Sequence, residues 1–303
     1  MTIAIALKVG DGIVLGADSA ATLGAVNKVF FNAEKISNLV KGLPLGLMVY
    51  GLGGLDRRSI ASVVKDLREL LTNGDPHWRV GAKYTVEGVA KLVRQFIYED
   101  RYQKQYPQQR LDAAGNTIPI FDSMGLVIAG FSADSDHPEA WSLQIDDKGQ
   151  CAAAECVLKQ DEFNAVWGGM PEALSRLMRG WSSQVRNGLI GLSIPAQEVD
   201  KFLQSLPMEP LVYAAMPLQD AIDLVKYMAE VTIGFTRFAP GPPTVAEPID
   251  IAAITKHEGF RWVRRKHYYS AELNPRYRAG DALQGTIPAS TVADPQPGDT
   301  NAV

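Results

Sequence analysis

TIAIALKVGDGIVLGADSAATLGAVNKVFFNAEK, residues 2–35, decides how the rest of the chain is read. Ile3, Ile5 and Leu7 alternate with Ala4, Ala6 and Lys8, a period of two that predicts a strand. Asp11-Gly12 supplies a turn, and Ile13, Val14 and Leu15 form the returning strand of a β-hairpin. Asp18 follows the return strand, and Lys35 ends a third extended run through Val29, Phe30 and Phe31. A near-terminal Thr2, an acid behind a hairpin and a lysine on a neighbouring strand make this stretch the first candidate for chemistry.

Beyond it, LPLGLMVYGLGGLDRRS (residues 43–59) reads as a buried strand ending at Gly51, Gly53 and Gly54. Two amphipathic helices follow. Ile60, Val63, Val64, Leu67, Leu70 and Leu71 form one stripe, stopped by Asn73-Gly74-Asp75-Pro76. Val89, Leu92, Val93, Phe96 and Ile97 form the second, with Thr85 as a cap. Residues 99–122 are polar and read as a helix tail and a surface insertion. Strands return at 124–131, 140–145, 150–157 and 164–169. Helical patterns follow Pro171, span 194–206, and run from Pro217 to Ile233. Prolines in 235–248 break regular structure, and 249–254 with 260–264 form a closing hairpin.

This order, with strands in hairpins and helices in adjacent pairs, predicts an α+β fold. It is a four-layer αββα sandwich of two mainly antiparallel sheets with helices on both outer faces. The expected domain is 2–265, followed by an extended or disordered arm over 266–303 rich in Pro, Gly, Ala, Asp and Thr.

Composition narrows the partners. The 303 residues are 46% hydrophobic and carry a net charge of −4, too mild to point to nucleic acid or an anionic membrane. No apolar run reaches the length of a membrane helix and no signal-peptide pattern opens the chain, so a cytoplasmic protein is expected. Cys151 and Cys156 match no zinc spacing and read as small packed side chains; no cofactor or metal is expected. Arg264, Arg265, Lys266 and His267 read as a solvated strand end, with Tyr268 and Tyr269 as anchors for the arm.

The opening motif, with Lys8, Gly12 and Asp18 spaced as KxxxGxxxxxD followed by Ser19 and Thr22, resembles the start of a proteasome-type β subunit of the N-terminal nucleophile (Ntn) hydrolase superfamily. The resemblance is specific over the first 50 residues and looser to about residue 265. It implies that Thr2, freed by removal of Met1, is a nucleophile whose α-amine serves as base. It also implies that Lys35 lowers the pKa of both, that Asp18 positions Lys35, and that the Gly51 N–H donates to an oxyanion. The implied activity is that of a threonine-type amide or peptide hydrolase working through an acyl-enzyme, in a ring-like or related homo-oligomer, with any unfolding partner unspecified. The alternatives are an inactive assembly or scaffold subunit and a small-molecule amidase. Two departures stand in the sequence. Gly168-Gly169-Met170 lacks the hydroxyl the family usually places between glycines. Arg237 to Gly241 lacks its usual Asp and Ser, the nearest acids being Glu247 and Asp250.

Overall fold

The structure is a computed structural model and describes residues 2–23, 28–106, 123–206, 210–241 and 243–266. The first elements are β1 (Ile3–Val9), β2 (Gly12–Ala17), a small hairpin of β3 (Ala21–Leu23) and β4 (Lys28–Phe30), β5 (Ile36–Asn38) and β6 (Leu45–Gly51). A two-residue pair, β7 (Gly54–Leu55) and β8 (Arg58–Ser59), leads into α1 (Ile60–Asn73) and α2 (Val86–Arg94). A π-helical run, Gln95–Tyr102, continues α2 into a last turn, α3 (Gln103–Gln105). Then come β9 (Met124–Gly130), β10 (Glu139–Ile145), β11 (Glu155–Leu158), β12 (Ala165–Gly169), α4 (Glu172–Arg179), α5 (Ser183–Gly191), α6 (Ala196–Gln204), α7 (Leu218–Phe238), β13 (Asp250–Thr255) and β14 (Gly259–Arg264).

Two five-stranded antiparallel sheets carry the fold, in the orders β12-β1-β2-β13-β14 and β11-β10-β9-β6-β5. Three apolar layers hold four structural layers together. Leu47, Val49, Leu126, Ile128 and Leu143 face α1, α2 and the π-helical run on one outer side. Ile3, Ile5, Leu7 and Ile251 face α4 and α7 on the other. Ala4, Ala6, Leu15, Met48, Val127 and Ile254 fill the space between the sheets. The αββα sandwich expected from the sequence is therefore what the chain forms.

The alternation in β1 has a meaning the sequence did not disclose. All seven of its residues are buried, because the large side chains pack under α7 and the alanines let the second sheet approach. Even Lys8 is fully buried, its ammonium donating to the carbonyls of Lys159 and Gln160 and lying 5.3 Å from the Phe163 ring centroid.

Several boundaries differ from the sequence reading. The hairpin turn is Gly10-Asp11, one residue earlier than expected, since Gly12 already pairs with Val9 and with Thr255. The run through Val29 does not continue to Lys35: β4 stops at Phe30, and Lys35 lies in the extended segment just before β5. Thr85 caps α2, accepting from the Gly88 N–H at 3.0 Å. Helix α7 runs five residues past Ile233 despite the prolines that follow, which begin only after its end. Helix α5 is absent from the sequence reading; its one local signal is Ser182, whose hydroxyl accepts from the Val185 N–H at 3.4 Å. Cys151 and Cys156 are free thiols, both pushed up in pKa by burial. No helix among the described residues is long and apolar enough to cross a membrane. One compact unit extends to Lys266. Of the helix tail and insertion expected over 99–122, residues 107–122 lie outside the described residues, as does all of the arm expected over 266–303 except Lys266, Tyr268 and Tyr269 included.

Candidate functional site

Asp18 sits where β2 leaves the sheet and is fully buried. Its Oδ1 accepts from the Ile3 N–H at 3.0 Å and from the Lys35 ammonium at 2.6 Å. Its Oδ2 accepts from the N–H groups of Ala20 at 2.9 Å and Ala246 at 3.2 Å. One carboxylate thus ties the start of β1, the exit of β2, the segment before β5 and the approach to β13. Lys35 is 7% exposed. Burial pushes its pKa below the ordinary value; the Asp18 charge and hydrogen bond oppose that, and the nearby Lys266 charge adds to it.

A second buried pair stands beside the first. Lys266 contacts the Asp250 carboxylate through its ammonium and donates its backbone N–H to Asp250 Oδ1 at 2.9 Å. The same ammonium reaches Ser19 Oγ at 2.7 Å, and the Ser19 hydroxyl donates to the Pro248 carbonyl. Lys266 is 8% exposed and Asp250 3%, so Lys266 is not the solvated strand end expected from the basic run. The signal was present in the sequence: Asp250 opens an otherwise apolar strand, and a buried carboxylate needs a buried cation.

Thr2 is 4% exposed. Its carbonyl accepts from the Met170 N–H at 2.7 Å. Gly169 has φ +93°, and a Cβ there would lie 1.9 Å from the Thr2 carbonyl oxygen, so only glycine seats the first strand this closely. Gly51 has φ +89° at the end of β6 and packs on the Ser123 carbonyl. Its link to Lys35 is indirect, through the Val49 N–H that donates to the Lys35 carbonyl at 2.9 Å. Of the four residues expected to act together, Asp18 and Lys35 meet directly and Thr2 adjoins them through Ile3, while Gly51 belongs to the neighbouring strand. Glu34, next to Lys35, pairs with Lys65 of α1 and with Arg265, each at 3.1 Å.

Glu34 gives the site a readable pH dependence. Burial raises its pKa, but the hydrogen bonds from Lys65 and Arg265 outweigh that and hold it below the ordinary carboxylate value. A depressed carboxylate stabilises the fold above its unfolded value of about 4.3, and that contribution is lost as pH falls through the lower folded value. Glu34→Gln is expected to flatten the acid limb of a urea-unfolding series taken from pH 7 to pH 3. An unchanged limb would show that the two ion pairs contribute nothing.

No family model matches the chain. No curated protein matches it either. Among solved structures it is similar to Anbu (ancestral β-subunit) from Yersinia bercovieri, at 13% identity over 88% of each chain with a TM-score of 0.47. It is also similar to the helical assembly of the Anbu complex from Pseudomonas aeruginosa, at 15% identity over 96% of this chain and 100% of that one, TM-score 0.49. A third is an Anbu (Gly-1) mutant from Hyphomicrobium sp. strain MC1, at 15% identity over 88% and 86%, TM-score 0.47. At such identities the likeness concerns fold alone.

The expectation of a working threonine peptidase is corrected here. The structures just named are of Anbu, in one case as a helical assembly, and as likenesses of fold they give the hydrolase no support. The geometry supplies a physical reason. Thr2 is packed into the fold, with 4% of its surface exposed.

Proposed function

We propose that the chain is a non-catalytic subunit that assembles with copies of itself, and that the Asp18–Lys35 and Asp250–Lys266 pairs hold its fold. One observation carries the assembly reading. Of thirteen large apolar side chains exposed among the described residues, ten lie between Leu177 and Phe238. These residues lie on or between α4, α5, α6 and α7; α4 packs on α7, α5 on α6, and the Ser182 hydroxyl at the start of α5 donates to Glu172 of α4 at 2.7 Å. Phe238 is 83% exposed, Leu192 72% and Phe202 58%. Exposed apolar side chains gathered in one helical segment support a protein contact there. A segment of this kind supports contacts between like subunits, which close into rings or run on as helices according to the rotation between neighbours.

The test is the mass of the native full-length chain by light scattering coupled to size exclusion at micromolar concentration. A multiple of the 33.0 kDa chain mass is expected. A species of 33.0 kDa that persists on concentration would overturn the reading.

A further inference from the structure

We propose that the open edge of the sandwich, where β11 and β10 face β12 and β1, binds a small organic cation with an apolar body, of the arylalkylamine kind. A cavity of about 260 Å³ lies there between the two sheets. Both of its bounding strands, β11 and β12, are sheet edges. At the ~30 Å³ that a water occupies, it has room for roughly nine non-hydrogen atoms.

Its depth is apolar: Ala4, Met48 and Val127 are buried beneath it. Tyr50 keeps it from being filled by backbone approach. The ring crosses from its own sheet to the other and lies directly over two glycines, so that a Cβ at Gly125 or Gly168 would come within 2.2 and 2.3 Å of the ring. Any side chain at Gly168 would push the ring into the cavity.

The mouth is polar, and its one charged group among the described residues is a carboxylate. Gln144 donates its amide N–H groups to the Tyr50 hydroxyl and to Ser142 Oγ, leaving its carbonyl oxygen as an acceptor and the two hydroxyls with their own O–H groups. Glu155 is exposed at the rim and has no ion pair among the described residues. An apolar floor with the Glu155 carboxylate at its rim suits a ligand that is apolar at one end and cationic at the other. The same rim repels an anion.

The experiment uses the full chain labelled with ¹³C at methionine methyls, titrated with phenethylamine, 2-phenylethanol and 3-phenylpropionate. The Met48 signal is assigned with Met48→Leu. The amine is expected to move the Met48 methyl saturably, the alcohol to do so more weakly, and the carboxylate not at all. Glu155→Gln should reduce the preference for amine over alcohol roughly two- to fivefold, the worth of a partly exposed charge pair. Val157→Trp, which fills the cavity from the edge strand at a half-buried position, should abolish the Met48 response. The proposal is overturned if the amine leaves Met48 unmoved, if the carboxylate moves it equally, or if the response survives Val157→Trp.

Discussion

Asp18→Ala is expected to be the most destabilising single substitution in the chain, costing about 3–5 kcal/mol in chemical unfolding. The magnitude follows from what the carboxylate holds. It accepts from three backbone N–H groups, of Ile3, Ala20 and Ala246, and from the Lys35 ammonium, all at a position with no solvent exposure. Removing one partner of a buried ion pair leaves the other charge unpaired, and the three N–H groups lose their acceptor with it. Lys35→Met is expected to cost less, because it removes the cation while leaving Asp18 its three N–H donors. This ordering separates a structural pair from one kept for a task elsewhere. Urea unfolding of both variants decides it; equal losses, or a larger loss for Lys35→Met, would contradict the role assigned to Asp18.

The second large effect concerns assembly. Phe202→Ser combined with Phe238→Ser is expected to release the chain toward its monomer. Burying each phenylalanine at a subunit contact is worth about 1.5–3 kcal/mol. Together they correspond to roughly two to four orders of magnitude in the dissociation constant. Both side chains are largely exposed in the single chain, at 58% and 83%, so the folded subunit should keep its unfolding midpoint. Sedimentation velocity at matched concentrations reads the shift. An unchanged distribution would place the contact elsewhere on the molecule.

The sequence makes the scaffold more legible than the site. Strand rhythm in Ile3–Leu7 and the apolar run at 124–130 locate central strands, because a buried sheet leaves its side-chain period or its hydrophobicity in plain view. The stripes at Ile60–Leu71 and Val89–Val93 likewise announce the helices that cover one sheet. What remained hidden depends on contacts far apart in the chain. Lys266 reads as part of a solvated basic run until β13 and β14 bring Asp250 and Ser19 to it. Helix α5 buries none of its side chains in the single chain and so leaves no amphipathic stripe to detect. The sequence places Lys35 at the end of a strand run, because an irregular segment between strands looks like strand in a sequence. The pair Asp18–Lys35 was legible as a pair, but its burial and its three N–H donors, which give it a structural reading, were not.

The most direct test of an assembling, fold-holding subunit is hydrogen–deuterium exchange on the full chain across a dilution series. If the segment from α4 to α7 is the contact between subunits, amides in residues 172–238 gain protection as concentration rises, while those of β1 and β2 exchange slowly at every concentration. Protection that stays independent of concentration throughout 172–238 would contradict the account.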